Sequence, residues 1–174
     1  MKKKLIVATM LMALVAGASA QNYNASIGGT VGSMYGVTFK GFFLPVDGLG
    51  LVADLGVNLF EPVGKGGGWG TAYTFELNPN ILYQGEIASW GWGDLAWFAG
   101  GGLSLGLLNG IDAPAKACIG KFGVNALGGA EIALSSVPLA FSADFRPGYG
   151  LGFSKNTTAS FFDWKVVASV RYIF

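Results

Sequence analysis

The sequence predicts an all-β chain folded as an eight-stranded antiparallel up-and-down transmembrane β-barrel. Three observations carry that expectation. Eight segments alternate apolar with polar residues at the period of a half-buried strand. The chain is 52% hydrophobic and only 12% charged, where an ordinary soluble domain carries about 25% charge, so its outside calls for an apolar environment. Beyond the first 20 residues, no apolar stretch reaches the roughly 20 residues of a spanning helix, and the closed barrel is the other structure that satisfies every backbone group in lipid.

The chain opens with Met1-Lys2-Lys3-Lys4, an apolar run from Leu5 to Val15, and Ala16-Gly17-Ala18-Ser19-Ala20. A basic start, a short apolar core and an Ala-x-Ala site read as a secretory signal peptide over residues 1–20, leaving a mature single domain over 21–174 that starts at Gln21. No Cys follows the cleavage site, which argues against a lipoprotein anchor. Without Lys2, Lys3 and Lys4 the mature chain has 8 basic residues against 10 acidic, a formal charge of −2, and nothing suggests a nucleic-acid partner. Cys118 is the only cysteine. It excludes a disulfide framework and reads as an incidental loop thiol.

Taken in order, the first two alternating segments run from Ala25 to Val31 and from Tyr35 to Phe43, the second with Lys40 on the inner parity. In the third, Leu49, Leu51, Ala53, Leu55, Val57 and Leu59 oppose Gly50, Asp54, Gly56 and Asn58. The fourth sets Tyr73, Phe75, Leu77, Ile81 and Tyr83 against Thr74, Glu76, Asn78, Asn80 and Gln84, with Pro79 expected at a bulge because proline cannot donate to a ladder. The fifth, Leu95 to Leu107, offers the inner parity little beyond Phe98, Ser104 and glycines. The sixth, Phe122 to Leu134, turns Lys121, Asn125 and Glu131 inward. The seventh opposes Leu139, Phe141, Ala143 and Phe145 to Ser142, Asp144 and Arg146. In the last, Trp164, Val166, Ala168, Val170, Tyr172 and Phe174 share one face, and Asp163, Lys165, Ser169 and Arg171 the other. A one-residue slip there would put four polar groups in lipid.

Eight strands bring both chain ends to one side. The expected outer connections are 32–34, 61–70, 109–120 and 152–162, and the expected inner ones 45–48, 85–93 and 135–138. Short periplasmic turns and longer outer loops are expected of such barrels, and three of the four outer connections obey this; the first, Gly32-Ser33-Met34, departs from it. Trp90 and Trp92 near one rim, and Tyr149, Phe153, Phe161 and Phe162 near the other, form candidate aromatic girdles, with Trp69 in an outer loop. Gly100-Gly101-Gly102 and Gly128-Gly129 read as curvature devices within strands.

The ending Trp164-x-Val166-x-Ala168-x-Val170-x-Tyr172-x-Phe174 resembles the C-terminal signal by which the barrel-assembly machinery recognises bacterial outer-membrane barrels. With the signal peptide and the alternation, the overall plan is similar to the small OmpX/OmpW/OmpA-transmembrane class. That resemblance implies export to the outer membrane, surrounding outer-membrane lipid, and assembly-machinery contact during biogenesis.

The inner parity collects Lys40, Lys121, Arg146, Lys165 and Arg171 against Asp54, Glu76, Glu131, Asp144 and Asp163. Eight strands enclose an interior that side chains can just fill, so these ten charges are expected to pair across the lumen as a plug. The chain contains no histidine. This removes Ser-His catalysis and any His-based metal site. No serine stands in a Gly-x-Ser-x-Gly setting, and the Gly64-Lys65-Gly66-Gly67-Gly68 stretch misses the spacing of a phosphate-binding loop. The expectation is a non-enzymatic, cofactor-free envelope protein whose outer loops, near Trp69, Ile111 to Lys121 and Ser154 to Phe162, meet an unidentified extracellular partner. The alternatives are a narrow, porin-like channel for small or apolar solutes and a secreted lipocalin-like cup with an apolar inside.

Overall fold

In a computed structural model of the chain, the described residues are 23–59, 72–110, 118–154 and 157–174. The signal-peptide reading of residues 1–20 lies outside them, as do Trp69 and residues 111–117. The fold is a closed antiparallel barrel of eight strands in sequence order. They are β1 (Ala25–Gly32), β2 (Met34–Gly41), β3 (Leu49–Asn58), β4 (Ala72–Trp90), β5 (Gly93–Gly110), β6 (Cys118–Leu134), β7 (Leu139–Ser154) and β8 (Thr157–Ile173).

The ladder closes with a stagger. A path across paired residues from Gly29 through Val37, Leu55, Leu77, Leu105, Phe122 and Leu151 reaches Ser160 on β8, whereas Gly29 itself pairs with Val170, ten residues further on. Eight strands with that shear tilt by roughly 40° and enclose a backbone cylinder of roughly 8 Å radius. Such a cylinder is just wide enough for its own side chains. The start of β1 meets the C-terminal residue, with Phe174 N–H donating to Ala25 O at 3.0 Å and Ala25 N–H to Phe174 O at 3.3 Å.

Parity sorts the side chains as the alternation requires. Ile27, Val37, Leu55, Phe75, Ile81, Tyr149 and Val166 are each half or more exposed on the outside, while Thr38, Asp54, Asn78, Asn80 and Ser169 are buried inside. Among the apolar side chains buried within the barrel, Tyr23, Phe42, Val52, Leu82, Phe98 and Leu127 form a cluster, while Met34 and Val167 are buried apart from it.

Several boundaries differ from the sequence expectation. The 85–93 turn contracts to Gly91-Trp92, because β4 continues to Trp90. Pro79 holds its register with Ala53 and causes no shift; the bulge falls between Glu86 and Ala88 instead. Proline's missing N–H interrupts pairing with β5 without displacing the chain, since Leu77 pairs Leu105 and Asn80 pairs Gly102 in one register. The 152–162 loop is mostly strand, leaving only residues 155–156 between β7 and β8, and Cys118 begins β6 instead of lying in a loop. Among the glycines expected to bend strands, Gly100 and Gly102 meet the requirement: a Cβ there would lie 2.0 Å from Ile81 O and 2.1 Å from Pro79 O. Gly128 does not, because nothing lies within 4 Å of its Cβ position.

Strand lengths are uneven. β1 and β2 have 8 residues each, whereas β4 to β8 have 16 to 19. The barrel wall is therefore low at the β1–β2 turn and tall around β8.

Candidate functional site

The ten charged residues singled out in the sequence all face the lumen and are buried. The register places them on different strands so that they meet in three groups. Nearest the Ala25–Phe174 pairing, Glu131 on β6 pairs with Lys40 Nζ of β2 at 3.0 Å and with Arg171 Nη2 of β8. The Tyr23 hydroxyl donates to Glu131 Oε1 at 2.6 Å, and Gln84 Nε2 donates to the same oxygen at 3.3 Å. Lys40 Nζ also donates to Gln84 Oε1 and stands over the Phe98 and Phe42 rings, 4.8 and 5.4 Å from their centroids. Arg171 Nη2 donates to Ser142 Oγ at 2.8 Å.

The middle group joins Arg146 to two carboxylates. Its Nε and Nη2 form a fork with Asp144 at 2.5 and 3.0 Å, and its Nη1 reaches Asp54 Oδ2 on β3 at 2.5 Å. Two parallel N–H bonds to one carboxylate are the strong form of this pair. Asp54 Oδ1 has no hydrogen-bond partner among the described residues.

The third group, toward the opposite end, is a square of alternating charge. Lys121 Nζ lies 2.6 Å from Glu76 and 2.9 Å from Asp163; Lys165 Nζ lies 2.6 Å from Glu76 and 3.1 Å from Asp163. An amide layer fixes its floor. Asn78 Nδ2 donates to Glu76 Oε2 at 3.2 Å, Ser104 Oγ to Asn78 Oδ1 at 2.7 Å, and Asn125 Nδ2 to Asn80 Oδ1 at 2.6 Å.

The groups carry formal charges of +1, −1 and zero, so the ten described lumen charges sum to zero although neither of the first two groups is neutral alone. Between them lies a void of about 10 Å³ lined by Lys40, Val52, Leu82, Phe98, Leu127, Asp144, Arg146 and Arg171. That is room for about one water.

Tyr23 is the functional side chain that sequence reasoning missed. It precedes the first alternating segment, so no periodicity marks it, yet its ring is 7% exposed and packs edge-on against Phe42 at 5.5 Å. Burial, with the Glu131 carboxylate beside it, pushes its phenol well above the usual tyrosine range.

Outside the barrel, Trp164, Val166, Ala168, Val170 and Tyr172 share the exposed face of β8, with Phe174 beyond its end. Trp90 and Trp92 stack at the β4–β5 turn with centroids 5.6 Å apart. Tyr149, Phe153 and Phe162 are exposed toward the other end. Of the surface segments expected to make contacts, Cys118 to Lys121 belongs to β6 and Thr157 to Phe162 to β8. No group of His, Cys, Asp or Glu among the described residues is arranged to hold a metal.

The fold and its interior define a closed, up-and-down eight-stranded barrel with an ion-paired lumen. No protein-family model matches the chain, and comparison with curated proteins gives no match.

Proposed function

We propose that this protein is an outer-membrane barrel, non-enzymatic, that anchors a contact surface at the tall end of its wall while its lumen stays plugged. The observation that carries the proposal is the inversion of polarity: the outside is apolar and exposed from Ile27 on β1 to Val170 on β8, and the inside holds ten charges. Along β8 the outward residues from Phe162 to Phe174 cover roughly 30 Å of axial height at this tilt. A hydrocarbon layer and its two aromatic girdles need about that much. Tyr149, Phe162 and Trp164 supply rings toward one end and Tyr172 and Phe174 toward the other.

A soluble cup would require the opposite arrangement, with the leucine-rich parity inside. A conducting channel would require a water path past three ion-paired groups, and the void between the first two admits about one water. The experiment is single-channel recording of the protein refolded into a planar bilayer. A heat-resistant, inserted barrel that stays electrically silent is the expected result. Discrete, reproducible conductance would replace the plugged reading with transport, and failure to insert would remove the membrane reading.

A further inference from the structure

We propose that the outer wall across β6, β7 and β8 holds one phospholipid of the leaflet at the Ala25–Phe174 end, with an acyl chain in a diagonal groove and an amine-bearing headgroup at the acidic rim below it. The inference rests on the membrane reading above and goes beyond it by naming the lipid that the wall selects. It begins from the ladder register. Ala130 on β6 pairs with Ala143 on β7, and Ala143 pairs with Ala168 on β8. The next row toward the Phe174 end, Ile132, Phe141 and Val170, is paired in the same way, and the next row on the other side sets Phe145 opposite Val166. Methyl groups thus form a floor between taller side chains.

The result is an apolar groove of about 650 Å³ on the outer face, running from Leu95 on β5 to Val31 on β1. Small-molecule sites have roughly 300–1,000 Å³. Its ends are four strand-to-strand steps apart, or roughly 20 Å. The stagger lifts every row from β5 toward β1, so the groove also climbs by roughly 17 Å along the barrel axis, from the level of Phe174 at Leu95. Half a hydrocarbon layer is about 15 Å thick. An acyl chain that starts at the lower headgroups and ends near the bilayer centre follows this path.

The rim decides which headgroup is held. Among the described residues, the charges at this end outside the lumen groups are Asp47, Glu86 and Asp94, while every described lysine and arginine is buried in the lumen. Asp94 pairs with Ser89 across the β4–β5 hairpin, beside the exposed Trp90–Trp92 stack, and it directly precedes Leu95 at the groove's lower end. Carboxylates and indole faces attract an ammonium group, and the carboxylates repel a headgroup of net negative charge. A phosphoethanolamine headgroup meets that requirement, and a phosphoglycerol headgroup does not.

A second copy is a poor occupant. A two-fold contact sets the same patch against itself, and two grooves face to face would enclose a channel with nothing to fill it.

The test uses the chain refolded in detergent micelles and titrated with phosphatidylethanolamine or phosphatidylglycerol of the same acyl composition, with retained lipid counted by native mass spectrometry. The barrel should retain phosphatidylethanolamine at least about fivefold better than phosphatidylglycerol. Ala143→Leu and Ala168→Leu, which fill the floor, should each lower retention of both lipids by about tenfold, whereas Ala53→Leu, across the barrel on β3, should leave it unchanged. Glu86→Gln combined with Asp94→Asn should keep the lipid and narrow the headgroup preference to within about twofold. A measurement that needs no variant places the chain: phosphatidylethanolamine with a nitroxide at its acyl terminus should broaden the amides of Val31 and Ala168 more than those of Ala53 and Leu55, which stand at similar height on β3. Equal retention of the two lipids by the unaltered barrel, retention that survives both floor variants, or equal broadening on the two sides would each overturn the inference. Insertion into vesicles is scored separately: a barrel that inserts without the preference loses the inference alone, and one that does not insert loses the membrane reading with it.

Discussion

Glu131→Gln tests whether the lumen is a dry, ion-paired plug. The substitution keeps the side chain's shape and removes its charge. Glu131 is the sole described carboxylate in salt-bridge reach of both Lys40 and Arg171, and it also accepts from Tyr23 at 2.6 Å and Gln84 at 3.3 Å. Lys40 is 1% exposed and Arg171 3%, so neither ammonium nor guanidinium turns to solvent when its partner is lost. Breaking a buried pair costs about 3–5 kcal/mol because the surviving charge stays desolvated. A loss of about 4 kcal/mol is roughly three orders of magnitude in the folding equilibrium, at about 1.4 kcal/mol per decade. The assay is urea-dependent folding into lipid vesicles, followed by tryptophan fluorescence and by heat-modifiable gel mobility. Asp144→Asn should cost less, about 1.5–3 kcal/mol, since Arg146 keeps Asp54 at 2.5 Å. The triple change Lys40→Met, Glu131→Leu, Arg171→Met should recover most of the loss, because a buried ion cluster replaced whole by apolar side chains is often neutral. A loss below about 1 kcal/mol for Glu131→Gln would refute the reasoning: the two cations would then be reaching water, and the lumen would be hydrated.

Three further outcomes are expected. Val37→Arg, at a 56% exposed outward position near mid-wall, should destabilise the vesicle-inserted protein by about 2–4 kcal/mol and leave stability in water-facing conditions nearly unchanged; an equal effect in both settings would count against lipid around the barrel. Gly100→Ala should impair folding yield, since its Cβ would stand 2.0 Å from Ile81 O, whereas Gly128→Ala should fold normally; comparable refolding yields for the two would show that the β4–β5 wall yields to the methyl group. Tyr23 has a folded-state pKa raised above its unfolded value of about 10, so its contribution is full below pH 10 and declines as pH rises beyond it. Denaturant titrations of wild type and Tyr23→Phe from pH 8 to 11 should show that extra alkaline loss in the wild type alone.

The sequence by itself determined the strand count, the antiparallel order and the parity of each strand, because a period of two assigns every residue of a strand to one face once a single face is known to be apolar. It also placed Lys40, Glu76, Arg146 and Lys165 on the inner side. Register was beyond its reach. Whether Glu131 meets Lys40 or Lys121 depends on a ten-residue stagger that accumulates around eight ladders, and no local pattern encodes that sum. Strand ends were equally hidden, since Gly152 to Phe162 reads as a loop until the ladder of β7 with β8 carries most of it upward as wall. Tyr23 had no sequence signal, and only closure of the barrel brought its hydroxyl to a glutamate 108 residues away. The low turn at Ser33 beside the tall β8 belongs to the tertiary structure as well. Alternation says which way a side chain faces, and only the closed ladder decides which side chains stand beside it.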